Sequence, residues 1–244
     1  MSISSLFHTF LYEPLFNALI LIYNFLPGHD LGIAVIILTL VIKILTFPLN
    51  QRALKYQKIM SKIQPQLKEI QKKYKDDPQE QARQTKELFQ KEKVNPFSSI
   101  SPILIQLPIL IALYQVFWKG LWDINSHFYS FVVRPESLSP IFLGLVDLSK
   151  PNSLMAILAA LAQFIQSLTM PSQKPSSANQ DSQEKMMLMM QKQMNFIFPA
   201  MTFFILVKLP SVLALYWLAT SVFAIIQQII LNKNYVSSRA VNNN

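Results

Sequence analysis

Lys43 is the residue whose type and position most invite chemistry, because it interrupts the apolar run IILTLVIKILTFPLN, residues 36–50. An ammonium group at the centre of a membrane helix costs about 2.5–3.5 kcal/mol on insertion scales, so something must compensate it. Two readings are open. As a helix, the run places Lys43 about 9 Å from its C-terminal end, near enough for the stem to snorkel toward the headgroups. Helical side chains lean toward the helix N-terminus, however, and with that end outside the lean carries the ammonium deeper. The second reading puts Lys43 in a hydrated cavity, where it attracts carboxylates that arrive from elsewhere.

Other apolar segments supply polar companions. These are Gln106, Gln163, Gln166, Gln227 and Gln228, with Thr39 and Thr46 near Lys43, and Thr220 and Ser221 on the last segment. Each glutamine alone fits an interhelical hydrogen bond. Several on different segments, with a lysine, favour a shared polar chamber. No acidic residue lies inside these segments. Other chemistries are poorly supplied. The chain has no cysteine, hence no disulfide, thiolate nucleophile or cysteine-bound metal. His8, His29 and His127 are dispersed, and neither HExxH nor GxSxG occurs. No catalytic residue, metal or cofactor is expected, and the protein does not read as an enzyme.

The elements that must position these residues are membrane helices. Of 244 residues, 51% are hydrophobic and 14% charged, a balance typical of membrane proteins. A span needs about 20 apolar residues. The pattern predicts an all-α membrane protein with five spans, at 31–51, 97–120, 152–170, 195–209 and 210–231. The net charge of +9 resides largely between the first two spans, where Arg52, Lys55, Lys58, Lys62, Lys68, Lys72, Lys73, Lys75, Arg83, Lys86, Lys91 and Lys93 fall. By the positive-inside rule, 52–96 is cytoplasmic and the N-terminus outside. Residues 121–151 then form an outer loop, and 171–194 and the tail 232–244 are cytoplasmic. Charge placed this way follows topology and does not indicate specific nucleic-acid binding.

Residues 1–30 lack the charged start and cleavage site of a signal peptide. The apolar core after Pro14 is only about 18 Å long as a helix, so an outer interfacial helix is expected, with Leu15, Leu19, Ile22 and Leu26 toward lipid. A sixth span from near Phe7 is the alternative. The segment 52–96 should form a helical hairpin that turns at KDDP, residues 75–78, with Pro78 in the first turn of the second arm. Ile59, Ile63, Leu67, Ile70 and Tyr74 make an apolar stripe, joined by Leu88 and Phe89 as a surface for substrate or partner. The tract 171–185 reads as a flexible loop. The methionines of KMMLMMQKQM, 185–194, fit either an interfacial helix or an adaptable contact surface.

With these residues in view, the chain resembles the YidC family of membrane protein insertases, bacterial relatives of the mitochondrial Oxa and plastid Albino proteins. The likeness runs from Leu31 to Leu231. It rests on the charge in the first span, IQPQL, NPF with ILIQLPI, DLS at 147–149, AQFIQ at 162–166 and LALYWLATSVFAIIQQ at 213–228, in that order. It implies a five-span core with a positively charged groove open to cytoplasm and lipid, through which hydrophobic segments of nascent proteins pass without nucleotide hydrolysis. The family's usual groove arginine is here Lys43, which keeps the charge but not the guanidinium fork. Gln163 or Gln166, and Trp217, match groove-lining positions by the same likeness, and Gln106 joins the expected groove as a polar residue of the second span. Nascent membrane proteins and lipids are the implied partners, with the ribosome and the Sec translocon as further ones, although the tail offers only Lys233 and Arg239. The expected location is a bacterial plasma membrane. An anion-selective transporter or channel using Lys43, and a chaperone that holds segments without inserting them, are the alternatives.

Overall fold

The computed structural model of the protein describes residues 3–93, 101–121, 128–169 and 195–242. The predicted cytoplasmic loop with its methionine-rich stretch, and the NPF motif, lie outside the described residues. The chain divides into two compact units, one built from Met1–Leu45, Leu107–Met170 and Lys192–Asn244, the other from Thr46–Gln106 and Pro171–Gln191.

In the first unit, helix α1 (Ile3–Phe7) runs through a π-helical turn (His8–Tyr12) into α2 (Glu13–Phe25). Pro14, at the start of α2, cannot donate to the preceding turn and crowds the carbonyl four residues back. The π-turn absorbs this, since Glu13 N–H donates to His8 O, one residue beyond α-helical reach. The result is an apolar helix over Ser4–Phe25, long enough to cross a membrane. The expected lipid-facing stripe is corrected here. Leu19 is fully buried, together with Phe16, Ile20 and Tyr23, so α2 presents that face to the protein core.

α3 (Leu31–Lys73) begins in this unit and continues into the other without a break at Pro48 or Pro65. The sequence expectation of a span followed by a hairpin arm thus falls on one continuous helix, and the boundary between the two units lies within it, between Leu45 and Thr46. Its Leu31–Ala53 portion and Ser211–Ile230 of α8 (Ser211–Asn242) are also long and apolar enough to span a bilayer. The helices predicted for the other three spans are shorter where described: Gln106–Trp118 within α5 (Ser101–Gln115) and its π-helical extension (Val116–Gly120), α6 (Ser153–Thr169) and α7 (Asn195–Leu206).

The core of this unit joins Phe16, Leu19, Ile20 and Tyr23 of α2 to Val35, Leu38 and Ile42 of α3, Leu113 and Phe117, Ala156 and Ala159 of α6, and Val212–Tyr216 of α8. The outer faces are apolar too. Ile44 and Leu45, Leu161 and Ile165, Phe196 and Phe204, and Ile226 and Ile229 are all exposed. Apolar surface on this scale suits hydrocarbon rather than water.

The loop before α6 is fastened to α2 by polar contacts over long sequence separations. Asn17 Oδ1 accepts from Tyr129 N–H at 2.8 Å, Tyr23 Oη accepts from Ser139 N–H at 3.0 Å, and Asn24 Nδ2 donates to Val133 O at 2.6 Å. Strands β1 (Ile141–Phe142) and β2 (Val146–Asp147) pair antiparallel, around a turn where Leu143 and Gly144 take positive φ. Asp30 binds both this turn, through Leu143 N–H, and the start of α3, through Ile33 N–H. Phe142 packs so closely on Gly32 that no side chain fits there.

In the second unit, α3 ends and the turn at 74–77 leads into α4 (Pro78–Lys91). Asp77 caps α4 by accepting from Glu80 N–H at 3.0 Å, and Pro78 occupies the first turn, as its sequence implies. Across the turn, Gln81 Nε2 donates to Gln71 O at 3.4 Å.

Candidate functional site

The site begins with the face that α3 turns inward. Val35, Leu38, Thr39, Ile42 and Lys43 are buried, whereas Leu40, Val41, Ile44 and Leu45 are exposed. That alternation is a helical stripe of spacing three and four, and Lys43 belongs to its inner side with only 7% of its surface exposed. Snorkelling would require the exposed side. Thr39, one turn earlier, satisfies its hydroxyl on its own helix by donating to Val35 O at 2.7 Å.

α6 and α8 supply the next pair. Ala156, Ala159 and Ala162 are buried on α6, and small residues at such spacing let helix backbones approach closely. One residue beyond Ala162, Gln163 Oε1 accepts a 2.9 Å hydrogen bond from Trp217 Nε1 of α8. Trp217 is half-buried against the core. Gln166, one turn further, is half-buried, and its carbonyl accepts from Thr169 Oγ1 at 2.7 Å.

Beyond Trp217, α8 continues an inward polar stripe. Ser221, Gln227 and Gln228 are buried, while Val222, Ile226, Ile229 and Ile230 face outward. At the opposite end the DLS motif holds the start of α8. Leu148 is fully buried, Val212 N–H donates to Leu148 O at 3.1 Å, and Ser211 Oγ donates to Asp147 O at 3.1 Å. The Asp147 carboxylate accepts from Ser149 and pairs with Lys150 at 2.9 Å, and these two hold its pKa below the usual range. A helix end fixed this firmly sets the register of everything along α8, Trp217 included.

Residues 21–238 match the sequence profile of the 60Kd inner membrane protein family. The chain belongs to that family. Among curated relatives, the membrane protein insertase YidC of Oceanobacillus iheyensis is 35% identical over 212 residues, covering 85% of this chain and 77% of the relative. The YidC of Fusobacterium nucleatum is 35% identical over 204 residues, with 84% and 87% covered. The YidC of Geobacter metallireducens is 32% identical over 230 residues, and there this chain spans only 38% of the relative's length.

In this 60Kd family member, the sequence-predicted site residues divide by unit. Lys43, Gln163, Gln166 and Trp217 belong to the first, and Gln163 and Trp217 are in direct contact. Gln106 is half-buried in the second. Of the stripe expected to meet a partner, Ile63 and Leu88 are buried within the chain, at 2% and 8% exposure. Ile59, Leu67, Ile70, Tyr74 and Phe89 keep part of their surface. Sequence reasoning missed Asn17, Tyr23 and Asn24 as fasteners. The signal was present, since asparagines seven residues apart in an apolar helix share one face and need partners there.

Proposed function

We propose that this chain is a membrane protein insertase, passing hydrophobic segments of nascent proteins into the bilayer through a positively charged hydrophilic groove without nucleotide hydrolysis. The observation that carries this reading is the placement of Lys43 on the inner side of α3, away from the lipid-facing residues. The insertase names of the relatives support it. In this reading the molecule has five core spans, an outer N-terminus and a cytoplasmic hairpin at 52–96, and lies in a bacterial plasma membrane. Gln163, Gln166 and Trp217 line the groove with Lys43 in this reading.

The mechanism follows from charge and burial. Acidic groups in a short polar tail are drawn to the Lys43 ammonium, which shortens their passage through hydrocarbon. The adjoining apolar segment then moves into lipid, gaining about 25 cal/mol per Å² of apolar surface removed from water. That gradient needs no nucleotide. Thin local bilayer beside the short helices lowers the remaining barrier.

The test uses purified protein in liposomes with a single-span substrate bearing an acidic N-terminal tail, scored by protease-protected insertion. Wild type and Lys43→Arg insert, while Lys43→Ala falls to near the level of empty liposomes. Equal insertion by Lys43→Ala would remove the lysine from the mechanism.

A further inference from the structure

The Gln163–Trp217 contact accounts for one polar group on the inner side of α8, but not for those beyond it. The Nε2 atoms of Gln227 and Gln228 and the hydroxyl oxygen of Thr220 are shielded from solvent and have no hydrogen-bond partner among the described residues. Gln227 and Gln228 are themselves 6% and 3% exposed. A native fold rarely leaves even one such donor unmatched, and here three lie on one face, at i, i+7 and i+8. Their neighbours Val222, Ile226, Ile229 and Ile230 point outward, so the three turn away from lipid together.

An amide Nε2 offers two N–H donors, and an uncharged donor selects an acceptor without selecting a charge. Thr220 and Gln227 are about 10 Å apart along the helix axis, a distance that about three residues of extended chain cover. An unfolded polypeptide carries one carbonyl per residue, and each needs a donor when it leaves water. Lys43 recognises acidic side chains, and these amides suit the backbone common to all.

We propose that Thr220, Gln227 and Gln228 form a backbone-carbonyl binding station for an extended, unfolded polypeptide segment, used whatever the charge of its side chains. The station rests on the insertase reading and specifies a substrate feature, the peptide backbone, that Lys43 does not read. Lys43 adds attraction for acidic tails, and the station holds neutral tails as well.

The experiment compares wild type, Lys43→Ala and the double variant Gln227→Leu/Gln228→Leu in liposomes, with one single-span substrate carrying either an acidic or an uncharged serine-rich tail. Loss of one to two net hydrogen bonds slows insertion roughly five- to thirtyfold. The double variant slows both tails by the same factor and melts no lower than wild type, because it removes unmatched buried donors. Lys43→Ala slows the acidic tail alone. Wild-type rates for both tails in the double variant overturn the station, as does a loss confined to the acidic tail, or a loss accompanied by a lower melting temperature. Wild type no better than empty liposomes overturns the insertase reading and the station with it, a result distinct from an active wild type with an equally active double variant.

Discussion

Trp217 Nε1 donates to Gln163 Oε1 at 2.9 Å, tying α8 to α6 across 54 residues of sequence. Packing of small residues on α6 brings the helices together, and this hydrogen bond fixes their rotation. Trp217→Phe keeps the aromatic bulk and removes the donor. The expected loss is about 0.6–1 kcal/mol, or roughly 1–4 °C in melting temperature for a chain of this size. A double-mutant cycle with Gln163→Leu isolates the coupling. Additive effects in the cycle would show that the two groups stabilise the fold independently.

Lys43 should be a cost to the fold and an asset to insertion. Burying an ammonium costs desolvation free energy that its neighbours only offset, so Lys43→Met is expected to melt no lower than wild type. Insertion of an acidic-tailed substrate falls in the same variant. A variant that loses both stability and insertion would assign Lys43 a structural role.

Which features were legible from sequence depended on whether their causes were local. The turn at Asp77–Pro78 was readable because a cap and a proline act within four residues. The inward direction of Lys43 was readable in part, since burial cost and the lean of helical side chains toward the N-terminus both argue against snorkelling. Residues one turn apart share a face, so periodicity could not tell which of Gln163 and Gln166 meets Trp217, and the structure shows that Gln163 does. The N-terminal helix misled for a different reason. Pro14 reads as a break, but the π-turn over His8–Tyr12 carries the helix through it. The partners that bury Leu19 and engage Asn17 lie more than 100 residues away or on other helices, beyond the reach of any local pattern.

Asn17 and Tyr23 should hold the loop before α6 in place. Asn17 both donates to Glu13 O at 2.9 Å and accepts from Tyr129 N–H, and Tyr23 accepts from Ser139 N–H. Asn17→Leu strands a backbone donor and should cost about 1–3 kcal/mol, with Tyr23→Phe nearer 1 kcal/mol. Amide hydrogen exchange over 128–140 is expected to speed up in both variants while the amides of α6 stay protected. Unchanged exchange in this segment would mean that the apolar contacts alone hold the loop.

Glu80 carries the pH dependence expected of α4. Hydrogen bonds from Arg83, at 2.6 and 2.8 Å, and from Gln84, at 2.9 Å, hold its pKa down to about 2 from an ordinary 4.5. Because the folded value lies below the unfolded one, the carboxylate's contribution is complete above about pH 4.5 and is lost as the pH falls through about 2. Carbon NMR of the Glu80 carboxyl in the detergent-solubilised protein should show a midpoint near 2, moving up toward 4.5 in Arg83→Ala. At this exposed position the effect on stability is small, so the titration itself is the measurement. A wild-type midpoint already near 4.5 would show that the Arg83 fork does not persist in solution.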